Sequence, residues 1–178
     1  MISNIYLAIL ILLLASCSSS EISRQSPTQS SQSIRTHKKV TLDNNFKIAM
    51  GQTIYVPIYS QIYYRNQQVV FNLAATLSIR NTDLAKPLIV TSVRYYNSNG
   101  KLIKQYLEHP IQLEALASTD FFISKDDKQG GLGANFIVEW VSPTKISEPI
   151  VEAVTIGTDS QQGISFISPG KVIKNQNN

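Results

Sequence analysis

The chain has 178 residues, 43% hydrophobic and 16% charged, with a formal net charge of +4 at pH 7. That length suits one domain with its own core plus flanking segments. Its one cysteine, Cys17, rules out an intramolecular disulfide framework and any cysteine cluster for a metal ion.

In chain order, the first element is an apolar run, Ile5–Ala15, built only of Ile, Tyr, Leu and Ala. It is too short for a hydrocarbon core that needs roughly 20 residues and has the length of a signal-peptide apolar region. Met1-Ile2-Ser3-Asn4 carries no Lys or Arg, so only the terminal amine supplies the usual positive charge. The run ends in Leu14-Ala15-Ser16-Cys17, which resembles the lipobox of bacterial lipoproteins. The resemblance implies that residues 1–16 are removed and that Cys17, now N-terminal, carries a diacylglyceryl group. Two or more acyl chains anchor stably where one binds reversibly. The expected partner of this end is therefore a membrane, held through lipid on Cys17. Ser18 follows, where an Asp often retains lipoproteins of two-membrane bacteria on the inner membrane. The expected place is outside the cytoplasm, on the periplasmic face of the outer membrane if the host has one.

Residues 17–38 read as the lipidated cysteine and a flexible spacer. Eight of the nineteen residues from Ser18 to Thr36 are serine, joined by Gln25, Gln29 and Gln32, and such a segment buries too little apolar surface to order itself. A coil of this length spans about 25 Å. From Ile48 to Ile167 the net charge is −1, so the basic excess belongs to the flanks. Arg35, Lys38 and Lys39 suit anionic headgroups better than a folded nucleic-acid surface, and no nucleic-acid partner is expected.

Residues 39–173 read as one domain, with 174–178 as a loose tail. Gln52–Tyr64 holds Ile54, Val56, Ile58, Ile62 and four tyrosines, with Pro57 suited to an edge, bend or strand end. Phe71, Leu73, Ala75, Leu77 and Ile79 alternate with Asn72, Ala74, Thr76, Ser78 and Arg80, the period of a sheet with one buried face. Leu88–Tyr96 places Ile89, Thr91, Val93 and Tyr95 opposite Val90, Ser92, Arg94 and Tyr96. Asn97-Ser98-Asn99-Gly100 then turns the chain into Lys101–Leu107, predicting a hairpin over Val90–Tyr106. Further strands are predicted from Pro110, over Ser118–Ser124, Ala134–Val141, Ile150–Ile156 and Gly163–Ser168, with a helical turn as an alternative at Glu114–Ala117. Seven to nine strands at this spacing predict an all-β fold: a two-layer β-sandwich, immunoglobulin-like without the disulfide. The alternative is a jelly-roll-like or small barrel topology.

Four segments carry a wider resemblance. They are Gly51–Ser60, Asn72–Asp83, Gly133–Trp140 and Gly163–Phe166, reading GQTIYVPIYS, NLAATLSIRNTD, GANFIVEW and GISF. They are similar to a family of bacterial lipoproteins and exported proteins that carry a domain of unknown function. The resemblance spans most of 48–173 and implies one exported domain, with no catalytic residues to carry over.

Candidate chemistry is sparse. His109 precedes Pro110 without an orienting partner at a recognisable spacing. Asp120, Asp126 and Asp127 are weak calcium candidates, since their spacing fits no standard calcium loop and Lys125 and Lys128 flank the pair. Gly130-Gly131-Leu132-Gly133 lacks the Gly-Lys-Ser/Thr ending of a phosphate-binding loop and reads as a turning loop. No cofactor is implied. The tyrosines offer more: Tyr59, Tyr63, Tyr64, Tyr95 and Tyr96 form a candidate binding surface, broad apolar area tipped with hydroxyls. Strand packing explains such residues equally well. The reading is a membrane-anchored, non-enzymatic module that binds an envelope protein or aids envelope assembly. A carbohydrate or envelope-polymer binder is the alternative, and a hydrolase with an unrecognised site is a third.

Overall fold

Thirteen β-strands and no helix make up the regular structure of the described residues, 37–158 and 163–176, of a computed structural model. The leader, the cleavage point, Cys17 and the spacer up to residue 36 lie outside the described residues. In order, the strands are β1 Lys38–Lys39, β2 Met50–Pro57, β3 Gln61–Tyr64, β4 Asn66–Asn72, β5 Ala74–Arg80, β6 Leu88–Tyr96 and β7 Leu102–Gln105. There follow β8 Ile111–Leu113, β9 Ser118–Ile123, β10 Asn135–Ser142, β11 Ile150–Gly157, β12 Ile164–Pro169 and β13 Lys171–Asn175.

All pairing is antiparallel. The larger sheet runs β1-β8-β6-β10-β2-β13, with β7 also on β6; the second runs β12-β11-β5-β9; β3 and β4 pair only with each other. Neither large sheet closes on itself among the described residues. β7 and β8 occupy the same edge of β6 at opposite ends, and the chain breaks between them around Pro110.

One buried cluster draws side chains from both large sheets. Ile54 and Val56 of β2, Val90, Val93 and Tyr95 of β6, and Phe136, Val138 and Trp140 of β10 meet Ala75, Leu77 and Ile79 of β5 and Val151 and Ala153 of β11. Burying each large apolar side chain is worth roughly 1.5–3 kcal/mol, which makes this cluster the main stabilising term. Two devices tie the sheets at their edges. At Gly170 the chain leaves β12 for β13, and hence one sheet for the other; a Cβ there would fall 2.6 Å from Ile54 Cγ2 and 2.7 Å from the Val151 carbonyl oxygen. Elsewhere, the Tyr106 hydroxyl donates to the Phe122 carbonyl at 3.1 Å, and its ring meets Phe121 and Phe136 at 5.3 and 5.8 Å.

The structure departs from the sequence expectations at four places. The alternating run from Phe71 divides at Leu73: residues up to Asn72 belong to the β3–β4 hairpin, and those from Ala74 to the second sheet. Leu73 is buried at the bend, its N–H donating to the Ser60 carbonyl. In β6 the alternation changes parity, because the register against β10 runs from Glu139↔Ser92 to Trp140↔Val90 and leaves Thr91 extra. This bulge lets Leu88 and Val90 share the core with Val93 and Tyr95, though they differ in parity. Glu114–Ala117 is a turn with Leu116 at a φ of 60°, not a helical one. Finally β13 carries the domain to Asn175, so the expected tail at 174 begins inside a strand. Pro57 stands at the end of β2, opposite Asn135 and beyond the last partner on β13, where its missing donor breaks no ladder.

Candidate interaction surface

The β3–β4 hairpin is an arm. Its base is fixed by three features: Gln61 Nε2 donates to Asn72 Oδ1 at 3.1 Å, Ile62 pairs with Phe71, and the backbone of Leu73 bonds Ser60. Phe71 and Leu73 press on the backbone of Gly157 at the end of β11, so closely that no side chain would fit there. Tyr59, just before the arm, sets its ring edge-on to Phe166 of β12 at 5.6 Å. Beyond this base the arm exposes Tyr63 (52%), Tyr64 (51%), Val69 (44%) and Val70 (43%). Tyr63 and Val70 are cross-strand partners and so share a face. After them the register shifts, Arg65 turns the chain at a φ of 65°, and its guanidinium lies 5.4 Å from the centre of the Tyr64 ring. Isolated scattered apolar residues are ordinary at a surface; here four stand on one two-stranded arm, with the consecutive Val69 and Val70 on its opposite faces.

The outer face of the second sheet is another apolar area. Val154 of β11 pairs with Ile167 on one side and Thr76 on the other, and Thr76 pairs with Phe122. The registers thus set Ile167, Val154, Thr76 and Phe122 in one row across four strands, with Ile167 and Phe122 well exposed at its two ends. Ile156 extends the patch along β11. At the other end Arg80 faces Glu152 at 3.8 Å, and a shallow depression opens between Thr76, Ser78, Arg80 and Leu116. The expectations drawn from the sequence do not include this row. Its signal is the adjacent trio Phe121-Phe122-Ile123, because in a strand the middle residue must face away from its neighbours.

Of the five tyrosines expected to form a surface, the structure gathers Tyr59, Tyr63 and Tyr64 near or on the arm. Tyr95 is a correction: it is 1% exposed and packs in the core 5.7 Å from the Phe136 ring, because β6 alternation after the bulge turns it inward. Its hydroxyl lies buried beside Ser60 without a well-formed hydrogen bond. Burial pushes its pKa up to about 12, the Asp127 charge adds to the rise, and Ser60 offsets it slightly. Burial also raises Tyr106 to about 12, again with a contribution from Asp127. Tyr96 is half-buried at the end of β6.

The remaining candidates are dispersed. Asp120 lies on β9 in register with Ser78, whereas Asp126 and Asp127 sit in the following turn, where Asp127 Oδ1 accepts the Gln129 N–H at 2.8 Å. Among the described residues no three His, Cys, Asp or Glu side chains come together to hold a metal ion, so the three aspartates make no calcium group. His109 is exposed between β7 and β8. The Gly130–Gly133 loop is clamped: Ser98 donates its N–H and hydroxyl to the Gly130 carbonyl at 2.9 and 3.0 Å, Gly133 donates to Ser98 Oγ at 2.8 Å, and Ser60 Oγ donates to Gly131 at 2.9 Å. Gly130 is required there, since a Cβ would run into the Tyr95 hydroxyl.

An antiparallel all-β domain with an aromatic arm, and with no metal-ligating group or membrane-crossing helix among the described residues, defines the class. Residues 51–173 match the family described as "Protein of unknown function (DUF3124)", and the chain belongs to that family. No curated protein and no solved structure matches it.

Proposed function

We propose that this chain is a lipid-anchored binding module whose β3–β4 arm takes a protein partner in the cell envelope. In this reading Cys17 carries the lipid, the Ser/Gln-rich segment holds the domain away from the membrane, and the two large sheets stack as an immunoglobulin-like sandwich. The observation that carries the binding role is the exposure of Tyr63, Tyr64, Val69 and Val70 on one arm whose base is firmly packed. Support for the anchor is the apolar run that ends in Leu14-Ala15-Ser16-Cys17. Ser18 favours the periplasmic face of an outer membrane. Mass spectrometry of protein extracted from its own membrane tests the anchor: an N-terminal peptide starting at acylated Cys17 is expected, and an intact Met1 or a bare thiol overturns it. A photo-crosslinking amino acid in place of Tyr63 tests the arm in cells, where a discrete protein adduct is expected and the absence of any adduct overturns the reading.

A second reading rests on the arm's amides. Gln61, Asn66, Gln67, Gln68 and Asn72 share the β3–β4 arm with Tyr63 and Tyr64, a combination of stacking faces and neutral hydrogen-bonding groups suited to sugars. Affinity electrophoresis through cell-wall polymers should retard the protein if this holds, and Tyr63→Ala should abolish the retardation.

A further inference from the structure

Resting on the arm as a binding surface, we infer that its partner is a second copy of this chain, joined by antiparallel pairing of the two β4 edges. β4 pairs only with β3 among the described residues, so its other edge is open. An open edge carries unpaired backbone donors and acceptors and is a template for another strand unless something blunts it. Apart from the free edge of β3, which is only four residues long, the other edges of this domain are blunted. β1 is Lys38-Lys39, β7 carries Lys104, and β13 carries Lys171 and Lys174 with a register shift between Val172 and Lys174. β9 carries Asp120, and the Phe122 carbonyl is taken by Tyr106. β12 ends on Pro169. β4, reading NQQVVFN, has no charged residue and no proline.

Charge selects the occupant. A twofold contact brings a surface against itself, so any charge on it would meet its like. Asn66–Asn72 has none, and the only charge on the arm, Arg65, stands at the turn outside β4. Because the Gln68 N–H is held by Asn66 Oδ1 at 3.0 Å, the new ladder centres on Val69–Phe71. A twofold axis through Val70 sets Val69 opposite Phe71 of the partner subunit and Gln68 opposite Asn72 of the partner subunit. The product is a four-stranded sheet, β3-β4-β4-β3, in place of two isolated two-stranded ones. A hairpin alone is marginal in water, whereas three or more strands with an apolar face hold together.

The test uses the full-length chain in its native membrane. Val70→Cys under mild oxidation should give a disulfide-linked species of doubled mass on a non-reducing gel. Val172→Cys, on the lysine-flanked β13 edge, should stay monomeric under the same oxidation. Val69→Lys in the Val70→Cys background should abolish the dimer; Val69 is exposed, so the fold survives, as an unchanged thermal midpoint would confirm. Only monomer from Val70→Cys, or a dimer unaffected by Val69→Lys, overturns self-pairing. If Val70→Cys stays monomeric while the photo-crosslinker at position 63 captures a different protein, self-pairing falls and the binding module stands. If neither gives a product, both readings fall.

Discussion

The Asp83 carboxylate accepts the backbone N–H of Ser147 at 3.0 Å, joining two loops sixty-four residues apart. Its other oxygen accepts the N–H groups of Ala85 and Lys86 at 3.0 and 2.9 Å, so one side chain closes its own turn and pins a distant one. Thr82 adds to the junction, donating its hydroxyl to the Glu148 carbonyl at 2.7 Å.

These contacts make a pH prediction. The Ala85 N–H, then those of Ser147 and Lys86, hold the Asp83 pKa below the ordinary carboxylate value. A depressed folded pKa means stability that is present above the unfolded value, about 3.9, and lost as pH falls through the folded one. Asp83→Asn keeps one acceptor but turns an amide donor towards a donor. The variant should melt below the wild type at pH 7, and the gap should narrow as pH falls below about 4. Equal gaps at pH 7 and pH 3 would contradict this.

Asn81 is the buried neighbour of that junction, 3% exposed. Its amide donates to the carbonyls of Lys86, Leu113 and Glu114 at 2.8, 3.2 and 3.0 Å and accepts from the Asp83 N–H at 3.0 Å. Asn81→Leu strands these groups away from water, at a cost of roughly 1–3 kcal/mol. Urea unfolding should show the loss as a lower midpoint with an unchanged slope. A midpoint within error of the wild type would remove the structural role.

Gly170→Ala tests the crossing between sheets. The added methyl meets the Val151 carbonyl oxygen as well as Ile54, and a backbone atom cannot rotate aside. The expected cost is about 1–3 kcal/mol, as for other overpacked sites. In an Ile54→Ala background, which removes the Cγ2 methyl, only part of this cost should be relieved, because the carbonyl contact persists. Full restoration would show that the side chain alone set the limit.

At high pH, Tyr95 and Tyr106 should act together. With folded pKa values raised to about 12, their contribution is complete below the unfolded value near 10 and is lost as pH rises through 12. Two of the eight tyrosines should therefore ionise late in a phenolate absorbance titration, together with unfolding. The Tyr95→Phe variant should move alkaline unfolding upwards and hold its stability at pH 7, since the lost hydroxyl lacks a well-formed bond. A large loss at pH 7 would show that the contact with Ser60 matters.

Much of the fold was legible in local pattern. The predicted hairpin over Val90–Tyr106 corresponds to β6 and β7, and Phe136, Val138 and Trp140 face the core as their spacing requires. Ala75, Leu77 and Ile79 do the same. The arm was illegible for two reasons: Asn66-Gln67-Gln68 lacks any alternation, and Leu73 keeps the parity of β5 across the bend. For the five tyrosines, local pattern did not separate buried from exposed: Tyr63 and Tyr64 are both exposed, whereas Tyr95 lies in the core and Tyr96 is half-buried.

Period-two alternation records which side of a strand avoids water, and that contrast is written residue by residue, so strand identity and inward faces follow from the amino acids alone. Which strand lies beside which, where Thr91 is squeezed out of register, and how Gly170 carries the last strand to the opposite sheet depend on contacts between distant segments. The same non-local packing buries Tyr95 under the Gly130 loop and leaves Tyr63 and Tyr64 on an uncovered arm. Tyr95 thus ends in the core while Tyr63 and Tyr64 stay exposed, because solvent exposure is set by what packs on a residue and not by the residue itself.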